Sequence, residues 1–204
     1  MTLEELKNTS LDRLGKDELQ SLVDYYQKES AKFTAYEQAV KVTLNSVYGA
    51  FGNKWFHFFN IDIAESITLQ GQNAILYSEK ILNKYFQEFW PKDTAVHKHF
   101  NISIKNKLVR PSVVYIDTDS CYVQFEEMYE SIEWLGDNKL PIDKFIMELY
   151  TFRIKEYITK CMAKYAEVTN TDNFLYFDLE TIAYSGIWLA KKKYLQDIAW
   201  EDKL

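Results

Sequence analysis

Asp117 and Asp119 stand two residues apart in Val113–Val123, which reads V-V-Y-I-D-T-D-S-C-Y-V. Runs of Val, Ile and Tyr on either side predict paired strands, with Asp117-Thr118-Asp119-Ser120 at the hairpin tip. In extended geometry residues at i and i+2 face the same way, so the two carboxylates can lie side by side. Like charges that close repel, and the pair costs stability unless something positive joins it. A divalent cation is the usual answer, and oxygen ligands alone favour magnesium or manganese. The plain alternative is a solvated acidic turn.

A second spacing lies upstream. Lys41, Asn45, Tyr48 and Gly52 recur at i, i+4, i+7 and i+11 in K-V-T-L-N-S-V-Y-G-A-F-G, one stripe down a helix. A core-facing stripe would be apolar. This one offers a cation for phosphate, an amide, a ring for a base or sugar, and a missing side chain for close approach. An amphipathic helix with an ordinary polar side is the alternative.

Together the two motifs resemble family B DNA polymerases. K-V-T-L-N-S-V-Y-G is similar to the family's fingers motif K-x-x-x-N-S-x-Y-G, and Y-I-D-T-D-S to its palm motif Y-x-D-T-D-S. Lys191-Lys192-Lys193-Tyr194, after Ala190, is similar to the basic K-K-[RK]-Y segment that holds the primer-template. The three occur in the family's order. The resemblance spans roughly Tyr36 to Leu204 and is closest to the T4-like phage members.

The resemblance implies an α+β fold: part of a polymerase palm, an antiparallel sheet backed by helices, with a long fingers helix. Residues 1–52 would be the returning part of the fingers and 53–204 the C-terminal portion of the palm, with a basic insertion at 92–110. The implied reaction is nucleotidyl transfer, in which a primer 3′-hydroxyl attacks the α-phosphate of a dNTP with two Mg2+ ions, or Mn2+, assisting. Asp119 would be the direct metal ligand and Asp117 would assist. Lys41 would contact the triphosphate. Tyr48, with Asn45 and Gly49, would floor the nascent base-pair pocket. Lys191, Lys192, Lys193 and Tyr194 would hold the duplex, mostly through its backbone, which positions without reading sequence.

Phe177-Asp178-Leu179-Glu180-Thr181 reads like a proofreading exonuclease motif. Its place after the palm motif argues against that, and the resemblance makes Glu180 an extra carboxylate near the metal site. The family's other palm carboxylate belongs to a D-x-x-S-L-Y-P segment, and none of Pro91, Pro111 and Pro141 follows Ser-Leu-Tyr. The upstream fingers helix, the exonuclease with its N-terminal domain, and the thumb have no counterpart here. The expectation is one piece of a split or fragmentary polymerase, active only with partner chains that supply them. Its partners would be primer-template DNA, dNTP, those polymerase pieces and replication accessory factors. The alternative is a non-catalytic DNA-binding or structural replication subunit.

Composition agrees with a globular chain. Of 204 residues 47% are apolar and 16% aromatic, enough for a real core and a large interface. A net charge of −6 argues against nucleic-acid binding by the whole surface, but local lysine clusters can still hold phosphates. Cys121 and Cys161 form no C-x-x-C pattern and read as free thiols in a reducing cytosol, so the expected location is cytoplasmic, that of the host if viral. Neither a spanning helix nor a signal peptide is read, and no membrane partner is expected.

The elements that must position these residues follow from periodicity. Thr2 to Asn8 reads as a short helix or cap, with Thr2 and Glu5 as a capping box. Lys16 to about Ala50 is a long helix ending near Gly49 and Gly52. Trp55–Phe59 is an aromatic link. Ile61 to Phe89 is a second helix, apolar at Ile67, Ala74, Ile75, Ile81 and Leu82. Ala95 to Arg110 is polar and basic, with a strand or hairpin suggested by N-I-S-I-K-N-K-L-V. His97 and His99 lack the further ligands a zinc site needs. A solvated loop is expected there, with contact to DNA or a partner chain as the alternative. Pro141 starts a helix that runs to Val168. Phe174 to Trp200 returns to strand, bending at Ser185-Gly186.

Overall fold

The computed structural model describes residues 15–202, so the expected cap at Thr2–Asn8 lies outside the described residues. The chain divides into two units between Thr68 and Leu69.

In the first unit, α1 (Lys16–Phe51) is the predicted long helix, about 54 Å at 1.5 Å per residue. Glu18 accepts the backbone N–H of Gly15 and so covers an otherwise unpaired donor at its start. None of its residues is buried, and Phe33, Tyr36, Val40 and Val47 are exposed. The linker after it keeps Trp55, Phe56, Phe58 and Phe59 exposed. Asn60 then caps α2 (Ile61–Lys84), its side-chain oxygen accepting the Ile63 N–H at 3.1 Å.

The second unit holds the core. Ala74, Ile75, Ile81 and Leu82 of α2 are buried as expected, whereas Ile67 is exposed. The helix continues through a π turn at Tyr85–Phe89 and a 3-10 turn at Trp90–Lys92 into α3 (Thr94–Phe100). Strand β1 (Ile102–Ile104) follows, then β2 (Val113–Asp117), β3 (Ser120–Val123), α4 (Glu126–Glu130) and β4 (Ile132–Trp134). Next come α5 (Ile142–Leu149), with Pro141 before its first turn, a second π turn at Tyr150–Ile154, and α6 (Lys155–Thr169). That π turn has a reason in the sequence. Buried Phe145 and Leu149 are four apart, as are Ile154, Ile158, Met162 and Ala166, but five separate Leu149 from Ile154. One widened turn absorbs the extra residue and keeps a single apolar stripe facing inward.

Strands β5 (Thr181–Ala190) and β6 (Lys193–Glu201) complete an α+β arrangement with three antiparallel pairs: β1 with β4, β2 with β3, β5 with β6. Tyr85, Phe86, Trp90, Val96, Phe100, Met128, Phe145, Leu149 and Met162 are the centre of the core. Among the described residues no helix is long and apolar enough to cross a membrane.

Two expectations need correction. Ala95–Arg110 is not a solvated loop. Its first part is helical, and Val96, Phe100, Ile102 and Leu108 are buried. The basic residues between them masked a core-facing set. His97 Nε2 lies 2.8 Å from the Trp90 carbonyl oxygen, and His99 pairs with Glu148 at 2.7 Å while stacking on Phe152. Nor is Ser185-Gly186 the bend between strands. Both residues lie inside β5, where Tyr184 is the extra residue of a bulge, and the chain reverses at Lys191-Lys192.

Candidate active site

The acidic hairpin is tied to the core along its length. Asn83 accepts the Val113 N–H at 2.9 Å, and Ile116, Cys121 and Val123 pack against the buried cluster. Burial, and then the nearby charge of Glu79, push the Cys121 thiol up to about 11. Cys121 is therefore a packed, protonated thiol and not a nucleophile. Pairing runs from Val113↔Val123 to Asp117↔Ser120.

The tip departs from the extended geometry expected of it. Thr118 has φ 52°, and the Asp119 N–H bonds the Asp117 carbonyl at 2.6 Å. The aspartates thus flank a three-residue turn, and strand alternation does not set their relative orientation. A β-branched residue in the left-handed region costs on the order of 1–2 kcal/mol, a strain the paired strands must hold. The Thr118 hydroxyl donates to Asp117 Oδ1 at 3.1 Å, and Asp117 is half-buried while Asp119 is exposed. The donors offered at the tip are carboxylate oxygens. That set fits magnesium or manganese, which take one or two carboxylates together with substrate phosphates.

The basic hairpin presents its lysines in the same way. Lys191 and Lys192 form the turn, with Lys192 at φ 60°, and Lys193 and Tyr194 open β6. All three lysines are exposed. Trp188, the cross-strand partner of Tyr194, folds back over Gly186. A Cβ there would sit 2.5 Å from the indole. Gly186→Ala is therefore expected to displace the indole and destabilise the chain by about 1–3 kcal/mol. Urea unfolding followed by tryptophan fluorescence would measure it, and an unchanged midpoint would show that the indole needs no such room.

Glu180 is exposed and directly precedes β5, whose Thr181 pairs with Glu201 at the end of the hairpin away from the lysine turn. Among the described residues no three of His, Cys, Asp and Glu gather as a metal-holding group, so Glu180 does not join Asp117 and Asp119 in one. Its neighbour Asp178 is engaged structurally. Hydrogen bonds from Lys155 and then from Tyr150 hold its carboxyl below the usual aspartate range, tying the segment before β5 to the second π turn and α6.

Lys41, Asn45, Tyr48 and Gly49 belong to the first unit and are exposed on α1. Lys41 pairs with Glu37 one turn earlier at 2.7 Å. The Tyr48 hydroxyl and Thr68 Oγ1 share a hydrogen bond of 2.9 Å, which fixes the ring over a cavity of about 340 Å³. Tyr48, Gly49, Gly52, Ala64 and Thr68 line it. A Cβ on Gly49 would meet nothing within 4 Å, so this turn of the helix stands open.

Sequence reasoning missed Thr68 and a cluster of four rings. Tyr115 and Tyr122 pair across the acidic hairpin with centroids 5.5 Å apart. Trp188 lies 6.0 Å from Tyr115 and 5.4 Å from Tyr122, and Tyr194 lies 5.7 Å from Tyr122. The signal available was register, since each pair sits a fixed few residues from its turn.

Comparison with known proteins shows the family to which the chain belongs. The family described as DNA polymerase family B matches residues 16–138. The DNA-directed DNA polymerase of Escherichia phage RB69 is 27% identical over 79% of this chain and 17% of its own length. That of Enterobacteria phage T4 is 24% identical over 91% of the chain and 20% of its own length. The DNA polymerase of Choristoneura biennis entomopoxvirus is 23% identical over 90% of the chain and 19% of its own length. The chain thus spans about a fifth of the length of these relatives.

Proposed function

Since the chain belongs to DNA polymerase family B, we propose that it supplies the nucleotide-binding helix and the acidic palm hairpin of a template-directed DNA polymerase. The reading rests most on one observation: the hairpin that carries the strained Asp117–Asp119 turn is packed, through Tyr115 and Tyr122, against the hairpin that presents Lys191–Lys193. A hairpin that carries two carboxylates, in contact with one that carries a cationic turn, suits the joining of a primer end to a nucleotide. Bound at Asp119, with Asp117 assisting, divalent magnesium would lower the pKa of the attacking hydroxyl and neutralise the leaving pyrophosphate.

The chain's own residues do the rest. Asp117 is held by the Thr118 hydroxyl, so the tip is organised before anything binds. Lys191, Lys192 and Lys193 meet duplex phosphates and fix the register of the primer without reading its sequence. Lys41 places a fixed cation where triphosphate charge builds. Tyr48, steadied by Thr68, lies with Asn45 and Gly49 under the nascent base pair and crowds the sugar 2′ position, favouring deoxynucleotides. Glu180 stands apart from the ligand pair as an accessory carboxylate. A two-metal site needs more ligands than Asp117 and Asp119, so activity requires partner polymerase segments. These would supply the other palm carboxylate, the exonuclease and the thumb.

Primer extension by the assembly of this chain with those segments tests the reading. Extension that requires this chain supports it. An assembly that binds primer-template stably without extending it would favour a non-catalytic replication subunit. Within that assay Lys41→Ala is expected to raise the apparent KM for dNTP by roughly tenfold or more, the worth of a charge-assisted contact, with little change in DNA affinity. The exposed Lys41–Glu37 pair contributes only about 0.3–0.5 kcal/mol to the helix, so the change would report on nucleotide and not on folding. An unchanged dNTP requirement removes Lys41 from the site.

A further inference from the structure

A two-stranded hairpin is not rigid by itself. The acidic one is stiffened by the core beneath Ile116, Cys121 and Val123. The basic one is not. Its buried residue, Ile182, lies near the end remote from the lysine turn, and Tyr184, Ile187, Leu189 and Leu195 are exposed. Three bulges further disturb its ladder, one of them at Leu189 beside the turn. What steadies the turn end is the opposite face, where Trp188 and Tyr194 meet Tyr115 and Tyr122.

We propose that Trp188, within this four-ring cluster, is a positioning residue for nucleotide addition. It sets the basic turn at Lys191–Lys192 against the acidic turn at Asp117–Asp119 and so aligns the primer end with the carboxylates. The inference rests on the function proposed above for those two turns.

The geometry makes Trp188 the keystone. It is the ring in contact with both members of the acidic hairpin's pair, edge-on to Tyr122 and tilted on Tyr115. Gly186 leaves it the space it occupies. Its Nε1 is buried without a hydrogen-bond partner, so the indole is held by shape and ring contacts rather than by its donor. The cluster also reaches the carboxylates. Tyr115 precedes Asp117 by two residues on one strand. Across the hairpin Tyr122 follows Ser120, the cross-strand partner of Asp117, by two residues. A shift at Trp188 is therefore felt at both turns.

The consequence is a specific kinetic pattern. The lysines bind DNA by charge, which tolerates displacement, whereas in-line attack does not. A misplacement of about 1 Å can cost roughly 100-fold in rate. In the extension-competent assembly, Trp188→Ala is expected to slow single-turnover addition at saturating dNTP by about 10- to 100-fold. The KM for dNTP, the Kd for primer-template and the titrated fraction of active sites should remain near wild type. Trp188→Phe, which keeps a ring and discards the N–H, should recover most of the rate. A merely structural Trp188 would instead lower the active fraction and leave the rate per active site unchanged, and that result overturns the proposal. Should Trp188→Ala not fold, Tyr122→Leu removes the facing ring, and a wild-type rate per site in that variant overturns it equally. Wild-type assembly that extends no primer would instead remove the underlying reading of the two turns, and this inference with it.

Discussion

Asp119→Ala is expected to cut single-turnover primer extension by about a thousandfold or more, roughly 4 kcal/mol of transition-state stabilisation, while primer-template affinity stays near wild type. The separation of effects follows from position. Asp119 is exposed at the hairpin tip, so truncation opens no cavity, and the hairpin stays anchored through Val113, Ile116 and Cys121. Lys191–Lys193, proposed to hold the DNA, are on another hairpin. Asp117→Ala should be a less clean probe, because Asp117 is half-buried and accepts from Thr118. Lost folding or lost DNA binding in Asp119→Ala would count against a metal-ligand role. Unchanged extension would end it.

The largest expected loss of stability lies in the core, at Asp93. Its carboxylate accepts from the Tyr85 hydroxyl at 3.1 Å, from Arg153 Nε at 2.7 Å and from the Val96 N–H at 3.4 Å. It therefore ties the first π turn, the second π turn and the start of α3 together in the core. Burial, with Asp93 close by, pushes the Tyr85 hydroxyl well above its ordinary range. Asp93→Ala leaves that buried hydroxyl unpaired and removes a helix cap, a combined cost of about 3 kcal/mol. Arg153 is more than a third exposed and can turn to water, so its stranded charge adds little. Urea unfolding would measure the loss. Asp93→Asn has one carbonyl oxygen where Asp93 uses two, Oδ1 for the Val96 N–H and Oδ2 for Tyr85 and Arg153, so it keeps the cap or the Tyr85 acceptor and should recover only part of the loss. A loss below about 1 kcal/mol for the alanine variant would mean that the three partners find others.

The acidic hairpin and the polar helix stripe were legible because their signals are local. Asp117 and Asp119 announce a hairpin tip through the apolar runs that flank them, and Lys41, Asn45 and Tyr48 share a helix face by spacing alone. The long helices were legible for the same reason, and even the second π turn is written in the five-residue step from Leu149 to Ile154. Ala95–Arg110 misled because lysines and histidines dominate its composition, while four spaced apolar residues decide its burial. Ser185-Gly186 misled because a glycine suggests a bend. Here it makes room for an indole two residues on.

From its sequence alone this chain is determined as a family B segment with an acidic hairpin, a polar stripe on a long helix and a basic turn, since residue type and short-range period suffice for each. Tertiary structure decided the rest. It bent Thr118 into the left-handed region, kept Glu180 out of the aspartate pair, buried Asp93 between two π turns and brought Trp188 onto Tyr115 and Tyr122. Those outcomes depend on which surfaces meet when elements distant in the chain pack together. No local period encodes that, because each contact exists only once the core has formed.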